Sequence, residues 1–130
     1  MEPVQRQTGR EPFRVCGSCG QVWRGWEDFV LDPGVRLLGL QAIDHLPNAN
    51  LLVFEHRCGS SVSVLASRFH RVFPDLQDHS GRSSLRGSDQ CSGHCFRLED
   101  LQQCDRSCVN ARDRRLVRHL LEMKRPASLA

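Results

Sequence analysis

A chain of 130 residues, 39% of them apolar and 25% charged, makes one domain, or one with a small appendage, and can bury roughly two-thirds of its unfolded surface. That balance excludes a disordered polyelectrolyte, and no run approaches the roughly 18 uninterrupted apolar residues of a membrane helix. The net charge is a modest +3, but Lys124 is the sole lysine and every other basic residue is an arginine, whose fixed fork suits phosphate or carboxylate.

Residues 1–12 are polar and aperiodic, so a flexible tail is expected. MEPVQRQTGR lacks the apolar centre of a secretion signal, which makes the cytoplasm the expected location. Phe13 to Val15 and Gln21 to Arg24 predict two short extended pieces joined by the tight turn CGSCG. Trp26 to Leu31 carries apolar residues at helical spacing and meets a stop at Asp32-Pro33-Gly34. Val35 to Ile43 and Leu51 to Arg57 are apolar runs divided by DHLPNAN, which predicts an antiparallel pair. Ser61 to Leu65 alternates as a third strand, and Ala66 to Phe73 predicts a helix halted by Pro74. The expectation for 13–77 is an α+β unit, a small antiparallel sheet with a zinc-knuckle or ribbon-like site.

Residues 78–90 (DHSGRSSLRGSDQ) are rich in breakers and predict a linker. A cysteine-clustered helical segment is expected over 91–124. Its strongest element runs from Asp105 to Lys124, with Val109, Leu116, Val117, Leu120, Leu121 and Met123 on one stripe and arginines opposite.

Seven cysteines, six of them in close pairs, in a chain expected to stay in the cytoplasm, point to metal ligation before a disulfide framework. Seven thiols and one imidazole also complete a pair of four-ligand sites. Cys16 and Cys19 have the form of a zinc knuckle, and glycines let the backbone curl around the sulfurs. A redox pair of thioredoxin type would need a helix straight after Cys19, where Gly20 and QVWR stand. His56 and Cys58 supply the second half, because positions i and i+2 of a strand share a face; His45 or His70 are substitutes for His56.

The other set is Cys91, Cys95, Cys104 and Cys108, two C-x3-C pairs separated by FRLEDLQQ. Cys104 and Cys108 are expected on one face at the start of the terminal helix, with FRLEDLQQ making a short helical excursion between the pairs. Four thiolates suit a second zinc ion and are equally the ligand set of an iron–sulfur cluster. His94 is a possible replacement ligand, and two disulfides clasping a helical hairpin are a third reading. The twin C-x3-C spacing, and nothing else, is similar to small helical chaperones of the mitochondrial intermembrane space.

No G-x-S-x-G, Walker A, H-E-x-x-H or G-x-G-x-x-G pattern occurs, and Gly20 stands where C-x-x-C-H would place the haem-binding histidine. The order CGSCGQVW, LLGLQ, LLVFEHRCGSSVSV and the twin C-x3-C pairs resembles a set of short bacterial cysteine-rich proteins with no known activity. That resemblance implies a bacterial source and the grouping of Cys16, Cys19, His56 and Cys58 apart from the later quartet.

The reading that follows is a non-enzymatic, metal-binding interaction module, zinc being the expected ion and a protein the expected partner. Alternatives are an iron–sulfur or thiol-based redox protein, and a nucleic-acid accessory protein using Arg106, Arg112, Arg114, Arg115 and Arg118, with Trp23 or Trp26 as stacking surfaces.

Overall fold

A computed structural model describes residues 11–43, 46, 49–76, 88–89, 91, 93–104 and 108–124. His45, Arg106, most of the expected tail over 1–12 and most of the expected linker over 78–90 lie outside the described residues. The architecture is α+β, with two small antiparallel sheets and a terminal helix. Among the described residues, no helix is long and apolar enough to cross a membrane.

Strands β1 (Arg14–Val15) and β2 (Val22–Trp23) form a ribbon in which Arg14 faces Trp23 and Val15 faces Val22. Helix α1 (Trp26–Val30) follows; its start is closed by Asp28, whose Oδ2 accepts the Gly25 N–H at 2.9 Å. Strands β3 (Val35–Gln41), β4 (Leu51–His56) and β5 (Ser61–Leu65) make the second sheet in the order β3-β4-β5. The period of two decides its inner face. Leu52, Phe54 and His56 on β4 are buried, and Leu52 faces Val64 while Phe54 faces Val62. Helix α2 (Ala66–His70) stops short of the expected Phe73, closing in a turn in which Val72 N–H donates to the Phe69 carbonyl at 3.0 Å, and Pro74–Leu76 forms a separate 3-10 turn.

The core is aromatic on the side nearest the cysteines. Phe54, Phe29, Trp23 and His56 form a row of edge-to-face rings with successive centroids 4.7, 4.9 and 5.0 Å apart. The row leads from the hydrophobic centre to a buried imidazole.

Helix α3 (Val109–Lys124) closes the other side with Leu116, Val117 and Leu120. It starts later than the expected Asp105: Cys104 is non-helical, and Cys108 precedes the helix, its carbonyl accepting the N–H of Ala111 at 3.0 Å and of Arg112 at 3.3 Å. The helical excursion expected in FRLEDLQQ is instead a 3-10 turn at His94–Phe96 followed by irregular chain through Cys104. This stretch passes the edge strand β3 so closely that a Cβ at Gly39 would lie 1.8 Å from the Leu98 carbonyl oxygen. Arg114 holds it to the helix, donating to the carbonyls of Asp100 and Gln102 and to the Asp100 carboxylate.

The polar residues of α3 are not all solvated. Asn110, Asp113 and Arg114 are buried. Asp113 accepts from His70 Nε2 at 2.7 Å, from Asn50 Nδ2 at 2.8 Å and from Arg112 Nε at 2.9 Å. A buried carboxylate is tolerable only with such partners. Arg112 and Arg114 therefore serve the interior, while Arg118 is exposed and pairs with Glu122.

Candidate metal centre

Local backbone chemistry makes two cysteine turns of one kind. In the first, Cys16 N–H donates to the Gln21 carbonyl at 2.9 Å and Gly20 N–H returns to the Cys16 carbonyl at 2.9 Å. In the second, His56 N–H donates to the Ser60 carbonyl at 2.9 Å and Gly59 N–H to the His56 carbonyl at 2.8 Å. Each turn needs a left-handed residue directly after its last cysteine, which Gly20 (φ +83°) and Gly59 (φ +93°) provide. His56 ends β4 and Cys58 lies in the following turn, so the strand-face argument holds for His56 while the hairpin turn aims Cys58.

The turns bring Cys16, Cys19, His56 and Cys58 together, with one ligand atom from each inside a 4.8 Å span. Sγ of Cys16 is 3.7 Å from Sγ of Cys58, and His56 Nδ1 is 3.6 Å from Sγ of Cys19 and 3.2 Å from Sγ of Cys58. A tetrahedral ion with bonds of about 2.3 Å to sulfur and about 2.0 Å to nitrogen sets these edges at roughly 3.8 and 3.5 Å. The donor set and its spacing fit such an ion. Cys16 and His56 are buried, whereas Cys19 and Cys58 reach the surface.

Electrostatics favour thiolate at two of the sulfurs. The Ser60 hydroxyl, 3.3 Å from Cys16 Sγ, and the backbone N–H groups of Cys19 and Ser18 lower the Cys16 pKa to about 5. Ser60 lowers Cys58 as well, through its hydroxyl at 3.1 Å and its backbone N–H. Cys19 moves oppositely: the Gln21 N–H favours its thiolate, but desolvation and the neighbouring sulfurs of Cys16 and Cys58 together push its thiol up. Burial opposes a charged His56 ring, yet Cys58 and Cys16 outweigh it and hold the imidazole above its ordinary value. A divalent cation would take the place of the protons that this crowding keeps on the site.

Residues outside the ligand set aim it. Gln21 Oε1 lies 2.9 Å from His56 Nε2, and Gln21 Nε2 donates to Asp32 Oδ2 at 3.0 Å. Because the Gln21 amide is oriented by Asp32, its oxygen faces the ring, Nε2 carries the proton, and the Nδ1 lone pair is left for the sulfur-lined space. Asp32 also accepts from Trp23 Nε1 at 2.8 Å, Gly34 N–H at 2.7 Å and Arg57 Nη2 at 3.0 Å. Sequence reasoning missed Gln21, Asp32 and Ser60. Ser60 is detectable as the hydroxyl two positions past Cys58; the other two carry no local signal.

The later cysteines stand differently. Cys16, Cys19, Cys58, Cys91 and Cys95 are free thiols. Cys108 is buried, Cys91, Cys95 and Cys104 are partly exposed, and Arg114 Nη1 points at Cys95 Sγ from 3.7 Å. His94 Nδ1 is 3.0 Å from the Asp100 carboxylate. His70, offered as a substitute ligand, is engaged with Asp113 instead. Among the described residues, the group whose ligand atoms converge is Cys16, Cys19, His56 and Cys58. Comparisons with family models, with curated proteins and with solved structures give no match to the chain.

Proposed function

We propose that this protein is a small zinc-binding, non-enzymatic interaction module in which Cys16, Cys19, His56 and Cys58 hold one structural ion between two hairpin turns, in the manner of a zinc ribbon. The observation that carries the reading is the set of four ligand atoms within 4.8 Å, with His56 fixed through Gln21. Three thiolates and an imidazole fill a tetrahedral shell, and a filled shell suits structure, whereas catalytic zinc keeps a position open for water. The ion would tie the β1–β2 ribbon to the β4–β5 hairpin, segments about 40 residues apart whose joining restricts the unfolded chain. A protein partner fits this role, since such an ion fixes the shape of a surface that is otherwise assembled from short elements.

The test is metal analysis and melting of the purified chain. Zinc bound through this set, removed by chelator with a large fall in melting temperature and restored by added zinc, is the expected result. A chain whose circular dichroism and melting temperature are indifferent to strong chelator sinks the reading.

A further inference from the structure

Among the described residues, strand β5 pairs with β4 and with no other strand, so it is an open edge of the larger sheet. The pairing phase fixes which of its backbone groups are left over. His56 N–H donates to the Ser60 carbonyl and Ala66 N–H to the Asn50 carbonyl, so the even-numbered residues of β5 turn their N–H and C=O to β4. Ser61, Ser63 and Leu65 turn theirs outward. Sheet edges are ordinarily blunted by lysine, proline or a bulge; SVSVL has neither residue, and its register with β4 runs without a shift.

Arg14 reaches this edge from β1, donating Nε to the Ser63 carbonyl at 3.1 Å and Nη1 to the Val15 carbonyl at 2.9 Å. From α2, Arg68 donates Nη1 to the Phe13 carbonyl at 2.6 Å and lies over the Phe13 ring, 4.2 Å from its centroid. Both arginines, with the exposed Val15 and Leu65, line a groove of about 420 Å³ between β1 and β5. Among the described residues that line it, none is acidic, and each guanidinium donates to backbone carbonyls alone. Arg112, Arg114 and Arg118, by contrast, each have a carboxylate. Half-buried positive charge without a counter-charge favours an anionic guest.

We infer that this groove docks an extended segment of a partner protein in which acidic side chains alternate with apolar ones. Laid along β5, such a segment offers carbonyls to the outward N–H groups of Ser63 and Leu65 and leaves the Ser63 carbonyl to Arg14. Its alternate side chains meet the apolar walls or the guanidiniums, where Arg14 Nη2 and Arg68 Nη2 are the donors for carboxylate oxygen. A phosphodiester chain has nothing to give the apolar walls or the strand edge. The inference names the partner of the interaction module proposed above and rests on that reading for the partner's class, a protein. The metal centre adjoins the groove without sharing a residue with it: Cys16 follows Val15, and Ser60 precedes β5.

The experiment is fluorescence anisotropy of the full chain with a fluorescein-labelled short peptide alternating glutamate and valine. The same peptide with lysine for glutamate runs beside it, and single-stranded DNA serves as competitor. Zinc per chain and melting with and without chelator are measured on the same preparation. Expected are saturable binding of the glutamate peptide and none of the lysine peptide. Arg14→Gln weakens binding about 10-fold, and Arg118→Gln, outside the groove, leaves it unchanged. Leu65→Glu, at an exposed position, abolishes binding, while Leu65→Lys keeps it; this pair decides the matter if Arg14→Gln disturbs the fold. No binding by zinc-loaded protein, binding indifferent to Leu65→Glu, or displacement by DNA as readily as by unlabelled peptide overturns the inference and leaves the metal centre standing. Peptide binding with this dependence on a chain that holds no zinc keeps the groove and removes the metal reading.

Discussion

Gln21 Oε1 accepts from His56 Nε2 at 2.9 Å, and this single contact decides which imidazole nitrogen faces the three sulfurs. Rotation of the ring would break it and move the Nδ1 lone pair out of the site. Gln21→Leu removes the acceptor at similar volume, so zinc affinity should fall by about 10–100-fold with little loss of the fold. Competition against a chromophoric chelator measures this. Unchanged affinity would show that ring packing against Trp23 alone aims His56.

Asp32 gathers the other end of the same chain of contacts. Desolvation raises its carboxyl, but Trp23, the Gly34 N–H, Arg57 and Gln21 outweigh this and lower its pKa to about 2 from an ordinary 3.8. A carboxylate whose folded pKa is depressed stabilises the fold above the unfolded pKa, and that stabilisation disappears as pH falls through the folded value. The window is therefore about pH 4 down to about pH 2. Arg57 is largely exposed, so part of the gain is screened, and Asp32→Asn should cost about 1–2 kcal/mol near neutrality. Urea melts of both proteins at neutral pH and near pH 2 check it: the difference should shrink at the acid end, and a constant difference would refute the charge argument.

Much of the framework is legible from short-range pattern. The apolar run LLVFEH and the alternation of SVSVL give the strands, and the helical spacing of Trp26, Phe29 and Val30 gives α1. The first ligand set is legible for the same reason, since its two halves are tight turns marked by glycine. What pattern cannot supply is partnership across long separations. Gln21 and His56 stand 35 positions apart, and nothing local distinguishes Gln21 from an exposed strand residue. The terminal helix shows the converse error: Arg114 is one of the arginines set opposite the apolar stripe, yet it is buried and bonded to Asp100, and its neighbours Asn110 and Asp113 are buried against Asn50.

The buried cluster around Asn50 gives a stability prediction separate from metal. Its Nδ2 donates to Asn110 Oδ1 at 2.7 Å and Asp113 Oδ2 at 2.8 Å, and its Oδ1 accepts the Ile43 N–H at 2.9 Å. Asn50→Ala strands all these groups away from water, which should cost about 2–4 kcal/mol. Chemical denaturation reads the loss, and zinc stoichiometry should stay as in the wild type because none of these atoms touches the cysteine centre.

Gly39 offers the sharpest steric test of how the irregular stretch is seated. A methyl group there would lie 1.8 Å from the Leu98 carbonyl oxygen, a backbone atom that cannot swing aside as a long side chain would. Either β3 or the 93–104 stretch must move, and the stretch has the fewer regular hydrogen bonds to lose. Gly39→Ala should therefore lift it from the sheet edge at a cost of about 1–3 kcal/mol. Hydrogen exchange followed by mass spectrometry locates the effect: faster exchange is expected in peptides spanning 93–104, with β4 and β5 unchanged. Uniform acceleration across all three strands would mean instead that the substitution loosens the sheet itself.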